Sequence, residues 1–364
     1  MPVRDIYKHI GQFAIVGFDG HVIPSELRAL VRQFDLGGVI FFARNIEEPE
    51  QVAELSQEIQ SLGDDLPLWV SIDQEGGRVA RLRKPFTEWP PMQKLGQSGS
   101  AKLARRFASA LAKELAAVGI SLNYAPVLDV HSDSRNTVIG DRALSEDAEM
   151  VAKLGAEMIR TFQSLGIAAC GKHFPGHGDT SRDSHHELPC IDTDAVQLNL
   201  RELLPFRSAI EADVAAIMTG HLLVPALDDK SPATLSRSIV DGLLRKKLGY
   251  DGLIVTDDLG MKAVAATHPI DELAVSAVGA GCDLLLLCPP NYDEQANALE
   301  SLIHAVESKI LSIPEIEAAM ERQVKAKVKY LQPRVSSQQS LKRTKNILGC
   351  EEALAIVKEI EQDG

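Results

Sequence analysis

Short runs of apolar, often β-branched residues recur along the chain, and each is followed by a longer segment with the apolar spacing of a helix. The runs are continuous instead of alternating, which is typical of parallel strands buried on both faces. They are FAIVGF (13–18), GGVIFF (37–42), LWVSID (68–73), SLNYAPVLDV (121–130), AACGKH (168–173), VAAIMTG (214–220), GLIVTDD (252–258) and CDLLLLC (282–288). The pattern predicts eight strands that alternate with helices.

Eight successive strand–helix units predict an α/β fold of the (β/α)8, or TIM, barrel class. Several of the helical segments end at a glycine, the residue that most readily closes a helix in the left-handed conformation. A doubly wound open sheet is the structural alternative. The Gly-x-Gly-x-x-Gly fingerprint that would favour it does not follow the first strand.

The alternation stops after residue 312, where Ser312-Ile-Pro-Glu begins a predicted helix that runs to about Tyr330. We therefore expect two parts, a catalytic barrel over 1–312 and a C-terminal helical extension over 313–364 that packs on the barrel. The extension holds one further predicted helix and is too short for an independent second domain.

Charge and composition narrow the class of protein. The formal net charge of −13 argues against nucleic acid and anionic membranes as partners, because both select for basic surfaces. No apolar run approaches the roughly 20 residues that span a bilayer, and the N-terminus lacks the apolar core of a secretory signal. The five cysteines are few and odd in number, as in a reducing compartment. We expect a soluble cytoplasmic protein.

Charged side chains fall where the predicted strands end. Barrels of this class carry their chemistry at the C-terminal ends of the strands, so these side chains should share one mouth. The residues at strand ends are Asp73, Lys172, His173, Asp257 and Asp258, with Arg81 and Arg142 in the loops that follow strands three and four. Each alone fits a structural salt bridge, but together they predict a functional pocket.

The loop after the fifth strand, GKHFPGHGDTSRDSHHELP (171–189), holds four of the ten histidines. Its H-x-x-x-H spacing does not indicate a metal site, because Phe-Pro-Gly between the histidines prevents the helix that would align them. We expect neither a metal nor a cofactor. In an extended segment Asp183 and His185 project to the same side, so the carboxylate can fix the tautomer of a general acid/base. A solvated loop pair is the alternative, and it is favoured for His186.

These segments resemble the N-acetyl-β-glucosaminidases of glycoside hydrolase family 3. The resemblance covers roughly residues 10–310. It is carried by KHFPGHGDTSRDSH (172–185), LLRKKLGYDGLIVTDDLGM (243–261), SIDQEGGRVARL (71–82), IGDRALS (139–145) and AIMTGHLLVPALD (216–228), which follow the family's order.

The resemblance implies a role for each matching residue. Asp257 matches a nucleophile that forms a covalent glycosyl intermediate, His185 the acid/base, and Asp183 its dyad partner. The residues that match the N-acetylglucosamine site are Asp73, Arg81, Arg142, Lys172 and His173. Asp258, Met218 and His221 lie in matching blocks and are expected to line or support the pocket.

The resemblance also implies a substrate. The family's β-glucosidases usually add a second α/β domain that supplies the acid/base, and only about 50 residues follow this barrel. The N-acetylglucosaminidase branch is therefore expected, acting on a small carbohydrate such as an N-acetylglucosaminyl muropeptide in peptidoglycan recycling. Two alternatives stay open: a phosphorylase that uses the same residues, and a sugar-binding barrel without catalysis. The sequence does not set the oligomeric state.

Overall fold

The computed structural model describes residues 3–63, 66–180, 188–331 and 346–363. Eight parallel strands close into a barrel in chain order, each paired with its neighbours and the last with the first. They are β1 (Ala14–Val16), β2 (Gly38–Phe41), β3 (Trp69–Ile72), β4 (Leu122–Asn123), β5 (Ala168–Phe174), β6 (Ala216–Thr219), β7 (Leu253–Asp258) and β8 (Leu284–Leu287). The predicted (β/α)8 barrel is confirmed.

Strand β4 is much shorter than the run over 121–130 predicted. Pro126 has no N–H to donate to a neighbouring strand, so regular pairing cannot continue through it. Beyond the proline the chain keeps a single isolated bridge, between Val127 and Lys172 of β5. After this bridge the chain continues without regular strand pairing to Asp129, which lies beside His173 at the C-terminal end of β5.

Helices surround the barrel on the outside. In the described residues they are α1 (Val3–Lys8), α2 (Ser25–Phe34), α3 (Pro49–Gln60), α4 (Met92–Gln97), α5 (Ala101–Ala117), α6 (Ala148–Ser164), α7 (Ala195–Gln197), α8 (Leu203–Glu211), α9 (Lys262–Ala265), α10 (Ile270–Ala280), α11 (Tyr292–Glu307), α12 (Ile313–Tyr330) and α13 (Glu351–Asp363). Two wider π-helical segments, Leu198–Glu202 and Ser238–Lys247, replace ordinary α-helix within predicted helical regions. None of the described helices is long and apolar enough to cross a membrane.

Side chains that alternate along the strands form two separate apolar layers. On β1, Ile15 points into the barrel interior, whereas Val16 belongs to the layer between strands and helices. On β7, Val255 and Ile254 divide in the same way. The barrel is therefore a packed core and not a pore, and space for a ligand lies at its ends.

Helix α12 closes the N-terminal end of the barrel. Lys327 is buried and donates to Oε1 of Gln12, just before β1, at 2.7 Å. Arg322 pairs with Asp283, just before β8, at 2.8 Å. Asp283 is fully buried, so this ion pair fixes the helix against the strand that follows. The opposite, C-terminal end of the strands remains for the site.

The last described helix, α13, packs along the side of the barrel. Ala353, Ile356 and Ile360 are buried, and the backbone N–H of Gly349 donates to Oε1 of Glu114 on α5 at 2.9 Å. The division of the chain at residue 312 into barrel and extension stays a prediction.

Candidate active site

Six of the eight residues predicted for the site lie in the described part of the chain. They are Asp73, Arg81, Arg142, Lys172, His173 and Asp257. All six follow or end strands β3, β4, β5 and β7 on the C-terminal side of the barrel. Asp183 and His185 lie outside the described residues.

Lys172 is the centre of an ion-pair network. Its side chain is 3% exposed, and Nζ lies 2.8 Å from Oδ1 of Asp73 and 2.7 Å from Oε1 of Glu75. Burial lowers the pKa of Lys172, but the two carboxylates outweigh burial and leave it above its ordinary value. The lysine is therefore a fixed cation, and Arg81 also reaches Asp73, at 3.4 Å.

Arg142 forms a bidentate ion pair with Glu75. Its Nε donates to Oε2 at 2.9 Å, and its Nη2 donates to Oε1 at 2.8 Å. Burial opposes the ionisation of Glu75, but the charges of Arg142 and Lys172 prevail and hold its pKa well below the ordinary value. Glu75 is thus an anion that positions two cations at the mouth.

His173 donates two hydrogen bonds to the carboxylate of Asp129. Its Nδ1 donates to Oδ2 of Asp129 at 2.7 Å, and its backbone N–H donates to Oδ1 at 3.1 Å. The backbone N–H of His177 donates to the same Oδ1 at 2.7 Å. Burial opposes the ionisation of Asp129, yet the charge and hydrogen bond of His173 keep its pKa below the ordinary value. The carboxylate thereby fixes the ring orientation of His173.

Glu75 and Asp129 were not predicted as site residues. Both carried a signal in the sequence, because each is an acid near the end of a predicted strand. Glu75 lies two residues after Asp73, and Asp129 lies in the otherwise apolar run VLDV. A carboxylate in such a run has to find buried partners.

Asp257 is half-buried at the end of β7. Burial opposes the ionisation of Asp257. The electrostatic interactions with His173 and His221, and to a smaller extent with Lys172, outweigh burial and hold the pKa of Asp257 below its ordinary value. Its Oδ1 accepts the backbone N–H of Asp258 at 2.8 Å. An ionised carboxylate therefore lies within electrostatic reach of Lys172 at the C-terminal end of the barrel.

The side chain of the neighbouring Asp258 accepts hydrogen bonds from the backbone of the loops after β7 and β8. Its Oδ1 accepts the backbone N–H groups of Gly260 at 3.0 Å and Cys288 at 3.1 Å, which joins β7 to the end of β8. Nε2 of His221 donates to the backbone carbonyl of Asp258 at 2.9 Å. Burial raises the pKa of Asp258, in contrast to its neighbour.

The first part of the histidine loop, residues 175–180, is tied to the loop after β4. Nδ2 of Asn136 donates to the backbone carbonyls of His177 at 2.7 Å and Gly178 at 3.1 Å. A Cβ on Gly178 would lie only 1.5 Å from the carbonyl oxygen of Val130, so only glycine allows this approach. Burial lowers the pKa of His177 to about 4, so this imidazole is neutral near pH 7 and serves the packing of the loop.

The described residues hold no group of three or more histidine, cysteine, aspartate or glutamate side chains that is arranged to bind a metal ion. Lysine and arginine are instead the cations of this mouth, and each is paired with a carboxylate. Such a set of fixed donors and acceptors suits a neutral ligand rich in hydroxyl groups.

Known proteins share this architecture. Residues 6–326 match the model of the glycosyl hydrolase family 3 N-terminal domain. β-Hexosaminidase A of Pseudoalteromonas piscicida is 36% identical over 94% of this chain, which spans 62% of that protein's length.

Solved structures agree with this match. A glycoside hydrolase family 3 β-N-acetylglucosaminidase from Paenibacillus sp. str. FPU-7 superposes with a TM-score of 0.92 at 41% identity, over 98% of this chain and 68% of that one. NagZ from Neisseria gonorrhoeae, in complex with N-trifluoroacetyl-D-glucosamine, superposes with a TM-score of 0.79 at 29% identity, over 96% and 97% of the two chains. The chain belongs to glycosyl hydrolase family 3.

Proposed function

We propose that the protein is a retaining β-N-acetylhexosaminidase that removes terminal, non-reducing N-acetyl-β-D-glucosamine. The observation that carries the proposal is the ionised Asp257 beside the fixed cluster of Asp73, Lys172 and His173 at one mouth of the barrel. The family membership and the names of the Paenibacillus and Neisseria proteins support the same class of substrate.

Asp257 is the proposed nucleophile. A retaining glycosidase needs an ionised carboxylate against the anomeric carbon, where it forms a covalent glycosyl intermediate. The lowered pKa of Asp257 keeps its carboxylate in that form at neutral pH. The ammonium group of Lys172 also compensates the negative charge in the resting enzyme.

His185 is the proposed acid/base, with Asp183 as the partner that orients it. In the first step the imidazolium gives its proton to the departing glycosidic oxygen, and in the second the imidazole takes a proton from water. Asp183 stabilises the imidazolium when it forms. This part of the proposal rests on the sequence of the histidine loop and on the family resemblance.

Five residues are proposed to hold the N-acetylglucosamine unit. Lys172 and the arginines donate hydrogen bonds to sugar hydroxyl groups, and the carboxylate of Asp73 accepts them. The residues are Asp73, Arg81, Arg142, Lys172 and His173. Glu75 holds Lys172 and Asp129 holds His173, so these side chains are ordered before the sugar binds.

The proposed natural substrate is an N-acetylglucosaminyl muropeptide, handled in the cytoplasm during peptidoglycan recycling. The five cysteines form no disulfide within the described residues and three of them are buried, which fits a reducing compartment. The net charge of −13 disfavours nucleic acids and anionic membranes as partners, so a small carbohydrate is the proposed partner.

Release of the aryl alcohol from an aryl N-acetyl-β-D-glucosaminide tests this function. With a chelator present, we expect turnover of this substrate and at least about 100-fold slower turnover of the matching β-glucoside, because the glucoside lacks the acetamido group of the proposed N-acetylglucosamine unit. Faster turnover of the glucoside would contradict the proposed specificity. Dependence of the rate on added phosphate, with a glycosyl phosphate as product, would mean a phosphorylase.

A further inference from the structure

The loop base, residues 175–180, rests on the π-helical segment Leu198–Glu202 that follows the long loop. Gly176 has a φ of +123°. A Cβ placed on it would lie 2.8 Å from both Cβ and Oε2 of Glu202. The Glu202 side chain is therefore in direct contact with the backbone of the loop base.

The carboxyl group of Glu202 is unusual for a buried acid. The residue is 1% exposed, and Oε1 accepts Nε of Arg201 at 2.6 Å. Oε2 is buried and has no hydrogen-bond partner among the described residues. Burial raises the pKa of Glu202 to about 7 against the opposing charge of Arg201, while Asp129 and Asp179 raise it further. An ordinary surface glutamate has neither the burial nor the unpaired oxygen.

Arg201 extends the contact from Glu202 into the loop base. Its Nη2 donates to Oδ2 of Asp179 at 2.6 Å. The hydroxyl group of Thr193, which lies on the returning side of the loop, donates to the same oxygen. Arg201 and Thr193 thus connect the outgoing and returning parts of the loop through Asp179.

Asp129 holds the other side of the loop base. It accepts the backbone N–H of His177 at 2.7 Å and orients His173. The loop base is therefore fixed between Asp129 and Glu202. Asp129 has a clear function in placing His173, whereas the proposed chemistry makes no use of Glu202.

We propose that Glu202 is a positioning residue: with Arg201 it supports the loop base, and so fixes the point from which the chain continues into the segment that carries Asp183 and His185 in the sequence. This inference rests on the proposed function, in which His185 is the acid/base. A displacement of about 1 Å in a reacting group is enough to cost about 100-fold in rate. Loss of the support should therefore weaken proton donation and leave the nucleophile untouched.

Leaving-group dependence measures this effect directly. Phenol is a poor leaving group unless the acid protonates the glycosidic oxygen as the bond to the sugar breaks, whereas 2,4-dinitrophenolate departs readily as the anion without an acid. For Glu202→Ala we expect kcat/KM on the phenyl N-acetyl-β-D-glucosaminide to fall about 10-fold to 100-fold, and on the dinitrophenyl substrate less than about 3-fold. Glu202→Gln keeps the shape and the acceptor for Arg201, so it should restore most of the activity.

Three further variants complete the test. His185→Ala sets the reference, with the largest loss confined to the phenyl substrate. Glu114→Ala removes another buried glutamate, which accepts the backbone N–H groups of Thr87 and Gly349, both outside the histidine loop, and should leave the ratio of the two substrates unchanged. Arg201→Met should reproduce the selective loss if Glu202→Ala does not fold.

The outcomes separate the inference from the proposed function. A selective loss in Glu202→Ala, or in Arg201→Met, together with the same pattern in His185→Ala supports the inference. Equal losses on both substrates, or no loss, in the Glu202 and Arg201 variants overturn the inference while His185→Ala alone is selective. If His185→Ala is not selective, the acid/base assignment fails and the inference fails with it.

Discussion

Replacement of Asp257 with alanine is expected to lower kcat/KM on an aryl N-acetyl-β-D-glucosaminide by about 10⁴-fold or more, as removal of a covalent nucleophile does in other enzymes. The reason is local, because the carboxylate of Asp257 is held ionised beside His173 and Lys172. Steady-state kinetics at neutral pH measure the loss.

Azide supplies a chemical check on this variant. With the carboxylate removed, azide can attack the anomeric carbon from the vacated side and release a glycosyl azide of α-configuration. The matched control is Asp258→Asn, which keeps the Oδ1 acceptor for Gly260 and Cys288 and should cost less than about 10-fold. A larger loss in Asp258→Asn than in Asp257→Ala would reverse the assignment of the two aspartates.

Replacement of Lys172 with methionine is expected to reduce both activity and stability. It leaves Asp73 and Glu75 without their shared cation in a site where the lysine and Glu75 are almost fully buried. Removing one partner from such a network costs about 3–5 kcal/mol of unfolding free energy. We expect kcat/KM to fall about 100-fold or more because a donor to the sugar is also lost. Urea denaturation and steady-state kinetics measure the two effects.

A second substitution separates these two effects. Adding Asp73→Asn to Lys172→Met removes the carboxylate that keeps only the 3.4 Å contact with Arg81, whereas Glu75 stays paired with Arg142, so part of the lost stability should return. The activity should not return, because the ammonium group is still absent. Unchanged stability in Lys172→Met alone would contradict the central place given to Lys172 in the network.

The strands and their order could be predicted because each buried parallel strand leaves a continuous apolar run in the sequence. The one large error in a strand, over 121–130, came from reading through Pro126, which has no N–H for pairing. The ends of the strands also placed Asp73, Lys172 and Asp257 on one side of the barrel, since parallel strands in a barrel all end at the same face.

The partners of these residues could not be predicted in the same way. Lys172 and Asp73 are 99 residues apart along the chain, and His173 and Asp129 are 44 apart. No local pattern records which carboxylate meets which cation, because the pairing depends on how neighbouring strands bring their ends together. The contact between Glu202 and Gly176 could not be predicted either, because it depends on how the π-helical segment after the histidine loop packs against the loop base.

The most direct measurement of the central claim is to trap the glycosyl intermediate. A 5-fluorinated N-acetylglucosaminyl fluoride carries a good leaving group, and its second fluorine slows hydrolysis of the intermediate, so the covalent enzyme accumulates. Intact-mass and peptide analysis should find one sugar per chain, attached to Asp257 and absent from Asp257→Ala. Attachment to another residue, or release of fluoride without any covalent enzyme, would contradict the assignment of Asp257 as the nucleophile.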